Sequence, residues 1–192
     1  MLDSFQASLY QDCCEIQNNN SAVIKVISGS WGFIDALHRI REIAQSTPGI
    51  NVKHQEMRAF LNATELAEEF RHYIQHLRAE LANDPPNTFP VWGSISWLDS
   101  DKSNRCHTAM FGAQIQGTQF SSCVYDRLKG KWVSKVALGV GGKSFNFDLM
   151  YEAAVRLREY LIPAIVEGSC AEIEFHEKLP ILTVDVDLPN KA

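Results

Sequence analysis

The chain has 192 residues, of which 45% are hydrophobic and 21% are charged, and this composition is typical of a globular protein with one sizeable core. Its net charge of −5 and its lack of a basic run argue against a nucleic-acid partner. Since no apolar stretch reaches the roughly 20 residues that span a bilayer, and no leader pattern opens the chain, we expect a single cytoplasmic domain over residues 1–192 without a membrane partner.

The N-terminal third predicts a helix followed by a β-α-β unit. Apolar residues at spacings of three and four predict the helix over residues 3–17. The continuous β-branched run AVIKVIS, residues 22–28, predicts a strand buried on both faces, and INVKHQ, from residue 50, predicts a returning strand. A helix carrying Phe33, Leu37 and Ile40 would connect these two strands.

The turn between the first strand and that helix is a candidate ligand site, because backbone N–H groups at a helix N-terminus can hold an anion or a small molecule. It comprises Ser28, Gly29, Ser30, Trp31 and Gly32. Together with the Ile-Asn-Val at 50–52, the turn resembles the ligand-sensing end of ACT domains, and this resemblance implies a small-molecule regulatory site. Any strand-to-helix turn would need the same glycines, and Trp31 would serve equally well as a partner anchor or as the lid of the core.

The segment Asn62-Ala63-Thr64-Glu65 has the capping-box pattern and predicts a long helix that ends at Asp84-Pro85-Pro86. On this helix His72 and His76 share a face, and their spacing can hold zinc. They lie opposite the apolar stripe, on the face expected to meet water, and the HExxH pattern is absent. We therefore expect a solvated helix face and no bound metal.

Apolar residues alternate from about residue 89 to 140, and this period of two predicts an antiparallel meander of three or four strands. In FPVWGSISWL the alternation places Trp97 in the core and Trp92 on the opposite face. If helices leave that face open, Trp92 would be an exposed aromatic residue suited to binding a partner.

Residues 137–144, ALGVGGKS, have the outline of a phosphate-binding loop, in which Lys143 and Ser144 would contact the phosphates. However, the helical period begins only at Phe147, and Asp148 would place a negative charge where the phosphate binds. The 48 residues after Ser144 are too few for the parallel sheet of such proteins. We therefore expect glycines that serve chain geometry, Lys143 as a solvated tip residue, and no nucleotide cofactor.

After a helix from Phe147 to Ile165, the chain ends in a predicted hairpin of AEIEFHE and ILTVDVDL. If these strands pair, four carboxylates share one face, those of Glu172, Glu174, Asp185 and Asp187. Solvent and salt, an electropositive protein partner or a divalent cation would relieve their repulsion, in that order of preference. The five scattered cysteines lack C-x-x-C spacing and indicate reduced thiols.

These elements predict an α+β fold with a mostly antiparallel sheet, made of the central meander and the C-terminal hairpin, an N-terminal β-α-β unit, and long amphipathic helices packed on the sheet. The leading functional hypothesis is a non-enzymatic binding protein that recognises another macromolecule through its sheet and its acidic terminal hairpin, in its sharpest form an inhibitor or antagonist. In its acidity, its central meander and its Trp-Gly pair the chain resembles bacterial toxin-immunity proteins. The alternative is a small-molecule or nucleotide-binding regulatory protein that uses residues 28–32 or 137–144. A metal-dependent enzyme built on the acidic hairpin is a third hypothesis, and the sequence is compatible with a homo-oligomer.

Overall fold

The computed structural model describes residues 2–16, 19–82, 90–112, 124–126 and 128–168. These residues form helices, a four-stranded antiparallel sheet and a two-stranded hairpin, which confirms the predicted α+β class. The predicted C-terminal hairpin, which carries Glu172, Glu174, Asp185 and Asp187, lies outside the described residues, as does the stretch of the meander from 113 to 123.

The described part of the chain contains six helices and six strands. The helices are α1 (Leu2–Glu15), α2 (Asn20–Ser46), α3 (Gln55–Ala63), α4 (Leu66–Gln75), α5 (Leu77–Ala82) and α6 (Phe147–Gly168). The strands are β1 (Ser94–Leu98), β2 (Cys106–Met110), β3 (Tyr125–Asp126), β4 (Lys131–Trp132), β5 (Val136–Val140) and β6 (Lys143–Asn146).

The predicted N-terminal β-α-β unit is wrong, because residues 22–28 belong to the long helix α2. Asn19 caps this helix through its side chain, which accepts a hydrogen bond from the Ser21 N–H at 2.9 Å. Ala22 and Val26 are fully buried whereas Ile24 is exposed, and this is a helical pattern of burial. The returning strand at residue 50 is also absent, since a turn leads from α2 into α3.

Close packing against α1 explains why glycines lie inside α2. A Cβ atom at Gly32 would lie 3.1 Å from Cζ of Phe5, and one at Gly29 would lie 3.6 Å from Cδ1 of Leu9. Gly32 therefore lets the Phe5 ring approach the α2 backbone, and the two helices share a buried surface.

The predicted long helix after Asn62 is divided into α3, α4 and α5. Asn62, the predicted N-cap, lies inside α3, and Thr64 is a buried residue at the α3–α4 junction, where its hydroxyl donates to the Phe60 carbonyl oxygen at 2.7 Å. The buried guanidinium of Arg41 donates to the same hydroxyl at 2.6 Å and to Glu68 at 2.7 Å. Arg41 thereby joins α2 to the α3–α4 junction. Without the Arg41 guanidinium, each of these acceptors would lose a hydrogen-bond partner.

The main sheet has the strand order β2-β1-β5-β6, and every neighbouring pair is antiparallel. It is therefore not the simple meander predicted, since β5 returns to pair with β1 and places β1 between β2 and β5. Ile95 and Trp97 of β1 face the helices and are buried, which confirms the predicted core position of Trp97. The helix α6 begins at Phe147, as the apolar period predicted.

Candidate functional site

A groove of about 380 Å³ opens between the helices α1, α2 and α6, and we call it the helix groove. The first helix contributes Leu2 and Asp3, and α2 contributes Ile40. Six residues of α6 line the rest: Ala154, Val155, Leu157, Arg158, Leu161 and Ile162. The lining is thus aliphatic except for one acidic and one basic side chain.

Burial along the groove increases from its rim to its floor. Leu157 retains 2% of its accessible surface and Leu2 retains 9%, so both belong to the core, whereas Ile162 retains 51%. Since exposing an aliphatic side chain to water is unfavourable, the rim of the groove offers apolar surface that a bound molecule could cover.

A small polar network closes one edge of the helix groove. Tyr151 donates its hydroxyl to Asp3 Oδ1 at 2.6 Å, and Arg158 Nη1 lies 3.8 Å from Asp3 Oδ2. The Tyr151 hydrogen bond, aided by the charge of Arg158, lowers the pKa of Asp3, while the same hydrogen bond raises the pKa of Tyr151. Asp3 therefore stays ionised at neutral pH and holds the start of α1 against α6.

The first turn of α6 is anchored by Asp148, the acid that argued against a phosphate site. Its carboxylate accepts hydrogen bonds from the Gln6 side chain, from the Lys135 N–H and, at 3.0 Å, from the Ser134 hydroxyl. An acid at a helix N-terminus interacts favourably with the helix dipole. Asp148 thus places a negative charge in the first turn of α6, where it would oppose a bound phosphate.

Residues 137–144 form the β5–β6 hairpin rather than a phosphate loop. Gly141 and Gly142 are its two turn residues, with φ angles of 55° and 78°, and Val140 pairs with Lys143 across the turn. Lys143 and Ser144 lie in β6, so Lys143 is not the tip of the hairpin, and its ammonium pairs with the Glu69 carboxylate of α4. The glycines therefore serve chain geometry as predicted.

The predicted ligand turn at residues 28–32 does not exist, because all five residues lie inside α2. Ser28 is exposed, Gly29 and Gly32 face α1, and Ser30 is buried. Trp31 stacks on Tyr73 at 6.2 Å between ring centroids, so it covers the core as a lid. The prediction that these residues bind a ligand depended on a strand-to-helix turn, which is absent. Ligand binding by these residues stays a prediction.

Trp92, the aromatic residue predicted to bind a partner, precedes β1 in a turn and keeps 38% of its surface exposed. Its N–H donates to the Phe111 carbonyl oxygen at 3.0 Å, which fixes the turn beside Gly112. Its exposure is compatible with the predicted role. The four acidic residues predicted with it, at 172, 174, 185 and 187, lie outside the described residues.

His107 pairs with Asp99 across the turn that joins β1 to β2. Its Nε2 atom lies 2.8 Å from Asp99 Oδ2, and its ring stacks on Trp97 at 5.4 Å between centroids. Asp99 Oδ1 also accepts the N–H groups of Asp101 and Lys102. Sequence patterns did not reveal this cluster, because the turn from 99 to 105 brings together residues eight positions apart.

Within the described ranges, no group of three or more His, Cys, Asp or Glu side chains is arranged to hold a metal ion. None of the helices described there is long and apolar enough to cross a membrane. No protein-family model matches this chain, and no significant similarity to a curated protein or to a solved structure is found.

The sequence patterns do not predict the helix groove, although the apolar residues of α6 indicate one of its walls. The predicted buried stripe of α6 includes Ala154, Leu157 and Leu161. Val155 and Ile162 widen the apolar surface beyond that stripe, so the helix has more apolar area than one neighbour covers. The sequence of α6 shows this additional apolar surface. It does not show that Ile40 lies across the groove from it, because that position depends on residues 20–46 forming the helix α2.

Proposed function

We propose that the protein is a non-enzymatic binding protein that recognises another protein by holding one of its amphipathic helices in the helix groove. The observation that carries this proposal is the lining of the groove, which is aliphatic apart from one ion pair at its edge. Exposed apolar surface bordered by charged groups is typical of protein interaction sites.

The dimensions of the groove support a helix as the occupant. The lining positions on α6 extend from Ala154 to Ile162, which is about 12 Å at a rise of 1.5 Å per residue. A bound amphipathic helix that inserts side chains at i, i+3 or i+4, and i+7 spans about 10 Å. The groove can therefore take two turns of a partner helix, and Asp3 and Arg158 can contact its polar edge.

The expected affinity is modest. Three aliphatic side chains of the partner, each contributing about 1.5–3 kcal/mol on burial, give about 5–9 kcal/mol. The loss of translational and rotational freedom, about 4 kcal/mol or more, reduces this gain. About 1–5 kcal/mol remains, so we expect these contacts to give dissociation constants of about 0.2 mM or weaker, which sets the concentrations for the assay.

Selection from a displayed library of amphipathic helical peptides tests the proposal. We expect enriched peptides to share apolar residues at i, i+3 or i+4, and i+7, and to bind in fluorescence polarisation with dissociation constants of about 0.2 mM or weaker. Ile162→Glu should weaken binding at least about tenfold, because it places a charge on the apolar rim. Leu149→Glu is the matched control, since Leu149 is similarly exposed at 47% on the same helix but does not line the groove.

Three results would contradict this proposal. The first is equal loss of binding in both variants, and the second is the absence of enriched peptides. The third is saturation of the groove by an aliphatic carboxylate such as decanoate without peptide binding, which would favour the small-molecule alternative. The narrower hypotheses of an inhibitor or immunity-like antagonist, and of an electropositive partner for the acidic C-terminal residues, stay predictions.

A further inference from the structure

The exposed side of α4 presents two imidazoles next to each other. His72 lies in the last turn of α4, and His76 caps its C-terminus, where the His76 N–H donates to the His72 carbonyl oxygen at 3.0 Å. The ring centroids are 4.3 Å apart, and the ring planes are inclined by 43°. Both side chains are exposed.

The two imidazoles are close enough to share one divalent transition-metal ion. Zinc binds imidazole nitrogen at about 2.0–2.1 Å, so two nitrogen ligands in tetrahedral geometry are about 3.3 Å apart. Rings with centroids 4.3 Å apart are within reach of one such ion. The helical hydrogen bond between the two residues holds their backbones at this spacing, so little conformational freedom is lost on binding.

We propose that His72 and His76 together bind one divalent ion of the class that prefers imidazole, namely Zn²⁺, Ni²⁺ or Cu²⁺, with water at the remaining positions. Glu69, three residues before His72, pairs with Lys143 of β6 and is not required as a ligand. The site thus has two protein ligands, fewer than a structural zinc site, and its affinity should follow the order Cu²⁺ above Ni²⁺ and Zn²⁺.

The bound ion would cross-link the last turn of α4 to the residue that caps its C-terminus. Helix α5 begins at Leu77, directly after His76, so the ion would lie beside the break between the two helices. This inference is independent of the helix groove, because none of the residues lining the groove lies on α4 or α5.

Isothermal titration of the untagged, metal-free full chain with Zn²⁺, and separately with Ni²⁺ and Cu²⁺, tests the site. We expect one ion per chain and at least about a tenfold loss of affinity in both His72→Ala and His76→Ala, because removing either imidazole removes the chelate. His54→Ala is the control, since the His54 ring stacks on Tyr160 at 4.2 Å and should not contribute.

Imidazole resonances in NMR spectra provide a second readout, in which Zn²⁺ should shift the signals of His72 and His76 and leave that of His54 in place. The proposal is overturned if the wild-type chain shows no binding of any of the three ions at millimolar concentration. It is also overturned if either single variant keeps the wild-type affinity, or if His54→Ala abolishes binding.

Discussion

The hydrogen bonds of the Asp99 carboxylate hold a turn in place, and the same hydrogen bonds favour the ionised form of Asp99. It accepts the Asp101 N–H at 2.8 Å and the Lys102 N–H at 2.9 Å, and its other oxygen lies 2.8 Å from His107 Nε2. The Asp101 hydrogen bond first, and then the His107 hydrogen bond, lower the pKa of Asp99 to about 2. The ionised form is therefore the one that the folded state stabilises.

The lowered pKa gives stability a defined pH dependence. Because the pKa of Asp99 is lower in the folded chain than its ordinary value of about 3.9, its contribution to stability is present above that value. The contribution is lost as the pH falls through about 2. We therefore predict that Asp99→Asn lowers the free energy of unfolding at neutral pH, and that its difference from wild type shrinks between about pH 4 and about pH 2.

Urea denaturation followed by far-UV circular dichroism at a series of pH values measures this difference. Asp101→Asn is the control, because the exposed Asp101 side chain accepts a hydrogen bond from the Ser100 hydroxyl and takes no part in the contact between Asp99 and His107. A difference between wild type and Asp99→Asn that stays constant down to about pH 2 would show that the carboxylate charge is not stabilised in this way.

At the scale of elements, α2 decides the architecture of the N-terminal half. It packs on both α1 and α4, and its residues Phe33 and Leu37 are fully buried. The same helix contributes Ile40 to the helix groove. Had residues 22–28 formed a strand, neither this packing nor the groove would exist.

Alanine at Gly29 distinguishes a helix from the strand-to-helix turn that the sequence predicted. In the interior of a helix, replacing glycine by alanine stabilises by roughly 0.5–1 kcal/mol, and a Cβ at Gly29 meets Leu9 only at ordinary contact distance. We therefore predict a higher melting temperature for Gly29→Ala. Gly142→Ala should lower it, because Gly142 has a φ of 78° in the hairpin turn. A fall for Gly29→Ala would contradict the helical assignment.

The errors of sequence interpretation have one physical cause, which is that local pattern does not reveal packing partners. The run AVIKVIS is strand-like in its composition, yet Ala22 and Val26 pack in the core as parts of a helix. The same kind of local pattern correctly predicts the start of α6 at Phe147 and the burial of Trp97. The sequence does not predict the helix groove, because the lining includes a residue of α2, and the sequence pattern predicts a strand where α2 begins.

At the scale of the whole molecule, a cluster of aromatic rings joins the sheet to the helices. Phe145 of β6 lies 5.1 Å from Phe147, 5.5 Å from Phe70 and 6.2 Å from Phe33, measured between ring centroids. These neighbours belong to α6, α4 and α2. The cluster therefore connects three helices to one strand. It supports the prediction of a single domain over residues 1–192, which stays a prediction.

Phe145→Ala should test whether the helices and the sheet unfold together. Removing a fully buried phenylalanine costs about 3–5 kcal/mol, and Phe145→Leu, which removes less volume, should cost less. If α2 and β5 belong to one cooperative unit, native-state hydrogen exchange should show the same loss of protection for amides in both elements. Leu149→Ala, at an exposed position of α6, should change neither. A loss confined to β5 would mean that the sheet opens independently of the helices, and the aromatic cluster would then be a contact between two separately stable units.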